Sequence, residues 1–152
     1  MKIIIYTLGK PKNTQMSELI ENYLKKIQHF CSLEWHSLRD SRHSDPVKRI
    51  EEEALLITSK IDKTAPVLVL DEKGATYTSM ELSTMIDKWE GGAIKKVQWV
   101  IGGSHGLPET FKKKYPGFSL STLTLTHEMA LLFLAEQLYR AYTLSRNIPY
   151  HH

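Results

Sequence analysis

The sequence predicts an α/β fold, a mostly parallel sheet flanked by helices. Three observations carry that prediction. Short apolar, β-branched runs occur at residues 2–8, 66–71 and 97–101, with amphipathic helical segments between them. The run "PVLVLD" is apolar without alternation, as in a strand buried on both faces. Strands alternating with helices need crossover connections, which give parallel pairing covered on both sides.

Taken in order, "KIIIYTL" is the first strand and "GKPKNT" a loop. Met16, Leu19, Ile20, Tyr23, Leu24, Ile27 and Phe30 then follow the i, i+3, i+4, i+7 spacing of one helix face. "LEWHSLRD", residues 33–40, reads as a second strand. Residues 39–46, "RDSRHSDP", are the most polar stretch and a place for mobility. Asp45-Pro46 is a helix start, a capping carboxylate followed by proline at the first helical position. Val47, Ile50, Ala54, Ile57 and Ile61 mark its apolar face. The third strand, "PVLVLD", is expected to end at Leu70-Asp71. Thr78 with Glu81 forms a capping box ahead of Leu82, Met85, Ile86 and Trp89. "VQWVI" is a fourth strand, and "FSLSTLTL" contains a fifth that is expected to end within residues 121–126. A last helix runs from near Thr126 to Ser145.

The 152 residues suit a single domain, residues 1–152, with a sizeable core. With 41% hydrophobic and 24% charged residues, the chain reads as globular rather than disordered, and no apolar run reaches membrane-spanning length. The N-terminus reads as a strand, not a signal peptide. The one cysteine, Cys31, cannot form an internal disulfide; it fits a reducing, cytoplasmic setting as a core thiol at a helix end. A net charge of +3 permits nucleic-acid contact without demonstrating it.

Ligands of open α/β sheets bind beyond the carboxyl ends of strands. One such end is "VIGGSHGL", where three glycines fall within five positions. It lacks the Lys-Ser/Thr of a P-loop and the G-x-G-x-x-G of a dinucleotide loop. It reads either as a plain turn or as a wall whose backbone lies against a flat adenine or a ribose. Asp71 and Glu72 are possible acid–base carboxylates, but charged residues at a strand end are more often a solvated turn or cap. Lys112, Lys113 and Lys114 read as a solvated helix end. No zinc-ligand spacing and no G-x-S-x-G elbow occurs. The last helix is apolar almost all round from Met129 to Ala135, which points to a second buried face at a subunit interface.

The stretches "KIIIYTLGK", "LVLDEKG", "VIGGSHGL", "SLSTLTLTHEMA" and "EQLYRAYTLSRNIPYH" together resemble the ribosomal large subunit methyltransferase H family of SPOUT-class enzymes. The resemblance covers essentially the whole chain. It implies a sheet whose C-terminal part is tied in a deep trefoil knot. It also implies S-adenosylmethionine as cofactor, no metal, a homodimer, and methylation of N3 of a pseudouridine in 23S rRNA, with the assembled ribosome as substrate. The cofactor site it implies comprises Leu70, Gly102, Gly103, Ser121, Thr122, Leu123, Thr124, Leu125 and Thr126. A branched side chain at Gly103 is then expected to fill the pocket. His127, Tyr139, Arg140, Tyr150 and His151 match substrate-side positions, and the tail of one subunit is expected to help complete the site of the other. His127, Arg140, Tyr150 and His151 are the catalytic candidates. Two departures weaken the basic surface: Leu131 stands where many relatives carry Arg, and His152 where they often end in Lys or Arg.

Methyl transfer to an imide nitrogen needs alignment and removal of the N3 proton. His127 and His151 are candidate bases, and Arg140 a candidate stabiliser of the anion. Two rival readings are a small-molecule α/β enzyme and a non-catalytic RNA-binding module. The first wants its glycine loop after the first strand, where only Gly9 stands. The second wants a dense basic face with exposed aromatics.

Overall fold

The computed structural model describes residues 1–150. Its elements run β1 (Lys2–Leu8), α1 (Thr14–Ile27), β2 (Ser32–Leu38), α2 (Pro46–Lys60), β3 (Val67–Thr76), α3 (Ser79–Gly91), β4 (Lys96–Ile101), α4 (Glu109–Lys112), β5 (Gly117–Ser119) and α5 (His127–Ser145). The strands pair in the order β2-β1-β4-β3-β5, every neighbour parallel.

Side-chain alternation along the strands divides the core in two. Ile3 and Ile5 of β1, with Val97, Trp99 and Ile101 of β4, pack against α1, α3 and α5. Ile4, Tyr6 and Leu8, with Val67, Val69 and Val100, pack against α2 and Phe111 of α4. Helix starts follow local chemistry: Met16 N–H donates to Asn13, Val47 N–H to Asp45, and Thr78 with Glu81 closes the capping box. Cys31 is buried just beyond α1, and burial raises its thiol pKa.

Three boundaries differ from the sequence expectation. β2 ends at Leu38, which leaves Arg39 and Asp40 to the following loop. β3 does not end at Asp71 but continues to Thr76, because its pairing with β5 shifts register between Leu70 and Ala75. The shift presses Gly74 onto Gly117, where a Cβ would lie 2.5 Å from the Gly117 carbonyl carbon, so only glycine permits the approach. β5 is only three residues long and stops at Ser119, so residues 121–126 form a loop.

The polar loop 39–46 is tied down. Ser41 N–H donates to Glu53 at 3.1 Å, His43 N–H to the Ser41 hydroxyl at 3.1 Å, and Asp45 N–H to His43 Nδ1 at 3.0 Å. The Ser41 hydroxyl also donates to Glu52.

Parallel pairing puts every carboxyl end on one edge of the sheet. The chain leaves β1 towards β2 on one side, and leaves β4 across β3 to β5 on the other. A crevice at such a divergence is where ligands of open α/β sheets bind.

Candidate active site

A cavity of about 360 Å³ lies over the carboxyl ends of β4, β3 and β5. Of the residues implied for the cofactor, Leu70, Gly102, Gly103, Ser121, Leu123, Thr124 and Leu125 line it, and His127 joins them from the first turn of α5. Thr122 and Thr126 are not among its lining residues. Thr122 is exposed, and the Thr126 hydroxyl accepts from Met129 N–H at 3.3 Å as the N-cap of α5. The loop before α5 holds its own shape: the Ser119 hydroxyl donates to the Ser121 carbonyl at 2.9 Å, and Leu123 N–H to the Ser121 hydroxyl at 3.0 Å.

The glycine loop turns tightly on itself. Gly106 N–H donates to the Gly103 carbonyl at 3.0 Å, and Gly106 has φ +77°, which favours glycine. A Cβ on Gly102 would lie 3.0 Å from Leu107 Cγ. A Cβ on Gly103 would lie 3.2 Å from Glu53 Oε2 and 3.5 Å from Leu8, which corrects the expectation that a side chain there enters the pocket. Gly103 instead lets the loop rest on α2 and β1.

Glu53 is 4% exposed, and burial raises its carboxyl pKa above the ordinary 4.5, opposed in part by the Ser41 N–H. A raised folded-state pKa means the native state holds the proton more tightly. Ionisation therefore costs stability as pH rises above the unfolded value. Glu53→Gln keeps an acceptor for Ser41 and removes that cost. Its melting temperature should exceed wild type at pH 8, by about 2–4 °C for each kcal/mol regained, with the gain vanishing near pH 4. Thermal unfolding at the two pH values checks this; an equal gain at both would refute it.

Two residues read as a solvated turn and one read as a solvated helix end also reach the cavity. Asp71 accepts an ion pair from Lys112 at 3.2 Å, and Glu72 accepts from the Thr124 hydroxyl at 2.6 Å. The pairs join β3 to α4 and to the loop before α5. Nothing local in the sequence marks these partners, because the register shift in β3 creates them. Phe118, Leu107 and Ala130 complete an apolar floor that sequence reasoning did not assign.

Arg140 and Tyr150 lie elsewhere. Thirteen residues of helix separate His127 from Arg140, about 20 Å at 1.5 Å per residue. Arg140 donates through Nε and Nη2 to Glu136 Oε1, at 3.0 and 2.6 Å, and stacks 4.8 Å from the centre of the Tyr150 ring. The Tyr150 hydroxyl donates to Glu136 at 3.3 Å and lies 3.3 Å from the Tyr23 hydroxyl. Its ring meets Tyr139 edge-on, with centroids 4.8 Å apart. Burial, then the contact with Tyr23, raises the Tyr150 pKa; the Glu136 carboxylate raises that of Arg140. His151 and His152 fall outside the described residues. Leu131 is 2% exposed and belongs to the core.

A glycine loop at the end of β4, a folded loop before α5 and a histidine on the first turn of α5 thus share one cavity at the sheet edge. The family model described as "Predicted SPOUT methyltransferase" matches residues 1–151. The chain belongs to the SPOUT methyltransferase family. A protein of Flavobacterium johnsoniae named "Ribosomal RNA large subunit methyltransferase H" is 36% identical over 156 residues, spanning 100% of this chain and 99% of that one. A Kosmotoga olearia protein of the same name is 38% identical, spanning 100% of both chains.

In this SPOUT methyltransferase the cavity has the size of a small-molecule site. Its volume is within the usual range for small-molecule sites, about 300–1,000 Å³. Leu70, Leu107, Phe118 and Ala130 offer an apolar floor, and the 102–106 backbone offers a polar edge. Among the described residues, no group of three or more His, Cys, Asp or Glu could hold a metal ion. No helix among them is long and apolar enough to cross a membrane.

Proposed function

We propose that this SPOUT methyltransferase methylates N3 of a pseudouridine in 23S rRNA, in the cytoplasm, with S-adenosylmethionine as donor and the assembled ribosome as preferred substrate. The observation that carries the reading is the cavity at the strand ends, in a chain matched end to end by rRNA large subunit methyltransferases. Leu70, Gly102, Gly103 and the 121–126 loop would hold the cofactor, and the trefoil knot belongs to the same reading. A bound S-adenosylmethionine would supply a methyl group carried on a sulfonium sulfur. The protein's task is to align N3 with that methyl and to take the N3 proton. His127 stands at the cavity as the base candidate within the described residues.

A homodimer supplies what one chain separates. Phe133 is 42% exposed, and Leu132 is only partly buried. Met129, Phe133, Glu136 and Arg140 follow one another at helical spacing along a single face of α5. Two α5 helices packed antiparallel about a two-fold axis at Phe133 would bring position 140 of one copy level with position 126 of the other. Arg140 and Tyr150 of one subunit would then face the cavity and His127 of its mate. There the guanidinium would stabilise the imide anion as the proton leaves.

Mass mapping of 23S rRNA from cells with and without this gene tests the reading. One pseudouridine should become lighter by the difference between a methyl group and a hydrogen atom when the gene is deleted. An unchanged map would reject the rRNA assignment.

A further inference from the structure

We propose that a cationic groove over the carboxyl ends of β1 and β2 binds the RNA phosphate backbone next to the target nucleotide. This rests on the rRNA methyltransferase reading above. The groove measures about 610 Å³, and Lys10, Arg39, Arg42 and Arg49 converge on it from the β1–α1 loop, the β2–α2 loop and α2. Asp40 is the one carboxylate among its lining residues.

These cations are not used up internally. Lys2, Lys96, Lys112 and Arg146 each pair with a carboxylate. Lys10, Arg39 and Arg42 make no ion pair among the described residues, and all three are exposed. Arg49, which also lines the groove, donates through Nε to the His43 carbonyl at 3.1 Å, and its charge acts on the buried Glu53 carboxylate. The hydrogen bonds from Ser41, His43 and Asp45 hold the loop that presents Arg39 and Arg42. A pre-ordered loop spends less entropy on binding.

The chemistry favours a phosphodiester chain. Guanidinium forks match phosphate oxygens, and four cations about one carboxylate suit a polyanion. N3 lies on the Watson–Crick edge of the base, so the target must be unpaired, and single-stranded RNA exposes its backbone. The position also fits. Neighbouring strands lie about 4.8 Å apart, which sets the groove about 10 Å from the cavity along the same sheet edge, within reach of adjacent nucleotides. Gly103, resting against Leu8, joins the two sites.

The test is the double variant Arg39→Gln, Arg42→Gln, with Arg39→Lys, Arg42→Lys as the charge-keeping control. On assembled ribosomes the Gln variant should raise KM at least about tenfold, with kcat within about threefold and unchanged S-adenosylmethionine affinity. The slope of log KM against log salt should fall by about 1.4, two contacts at ~0.7 each for single-stranded RNA. The Lys variant should recover most of the loss. Binding of poly(U) should weaken in parallel. Unchanged KM and salt slope would overturn the groove while leaving the methyltransferase reading intact. Weakened ribosome affinity with unchanged poly(U) binding would also overturn it, because the groove would then meet ribosomal protein. If the wild type methylated no ribosomal RNA, loss of poly(U) binding in the Gln variant would still support the groove while the substrate reading failed.

Discussion

Mixing His127→Ala protein with Arg140→Ala protein should restore methylation that neither variant shows alone. Each variant by itself should lose at least about a hundredfold in rate, ~2.7 kcal/mol of barrier. The reason is the length of α5, which holds His127 and Arg140 about 20 Å apart within one chain. If the working site joins the cavity of one subunit to the far end of α5 from its mate, a mixed dimer has one site with both residues. At equal mixing, half the dimers are mixed and each carries one intact site, which gives about a quarter of wild-type activity. A mixture no more active than its parts would show that the two residues do not meet across a dimer. Deleting residues 149–152 should act like Arg140→Ala, because Tyr150 stacks on that guanidinium and bonds Glu136 beside it. The deletion should leave S-adenosylmethionine affinity within about threefold, roughly 0.65 kcal/mol. Equal loss of affinity and rate would place the tail in the cofactor site instead.

Ala130→Phe should abolish cofactor binding in a folded protein, with at least about a hundredfold loss of affinity, ~2.7 kcal/mol. Ala130 is on the first turn of α5, lines the cavity and is 9% exposed, so a phenyl ring there competes with the ligand for the floor formed by Leu70 and Phe118. Overpacking of this kind costs about 1–3 kcal/mol of stability, which a domain of this size tolerates. Gly103→Val makes the contrast. Its side chain meets Glu53 and Leu8, so it should lower the melting temperature first and affect binding only through the displaced loop. Calorimetry of folded Ala130→Phe protein with unchanged affinity would show that the cofactor sits elsewhere.

Four of the five helices, all but the single turn of α4, were legible because their determinants are local. Asp45, Thr78 and Thr126 each cap a helix within three residues of themselves, and the apolar faces of α1 and α2 repeat at the helical period. The buried strands were legible because a continuous apolar run has few other uses. The extension of β3 to Thr76 was not, since it depends on β5 arriving beside it with Gly117 against Gly74. The same distant event turned Asp71 and Glu72 from an expected solvated turn into a wall of the cavity. Lys112 moved with them, from one of three adjacent surface lysines to a partner of Asp71.

Chain order alone was enough to set the α/β class, the glycine loop after β4 and the helix that opens at Thr126. Each depends on residues within one turn or one strand of each other. The motifs of the resemblance likewise lie within short windows, and seven of the nine residues they implied for a cofactor line the cavity. Which way Gly103 faces and which cations share a groove are decided by packing between segments dozens of residues apart. Lys10, Arg39 and Arg42 become neighbours only because β1 and β2 pair in parallel and deliver their loops to one edge. A parallel sheet brings together the ends of strands that the chain keeps far apart, so the chemistry at that edge exists only once the sheet has formed.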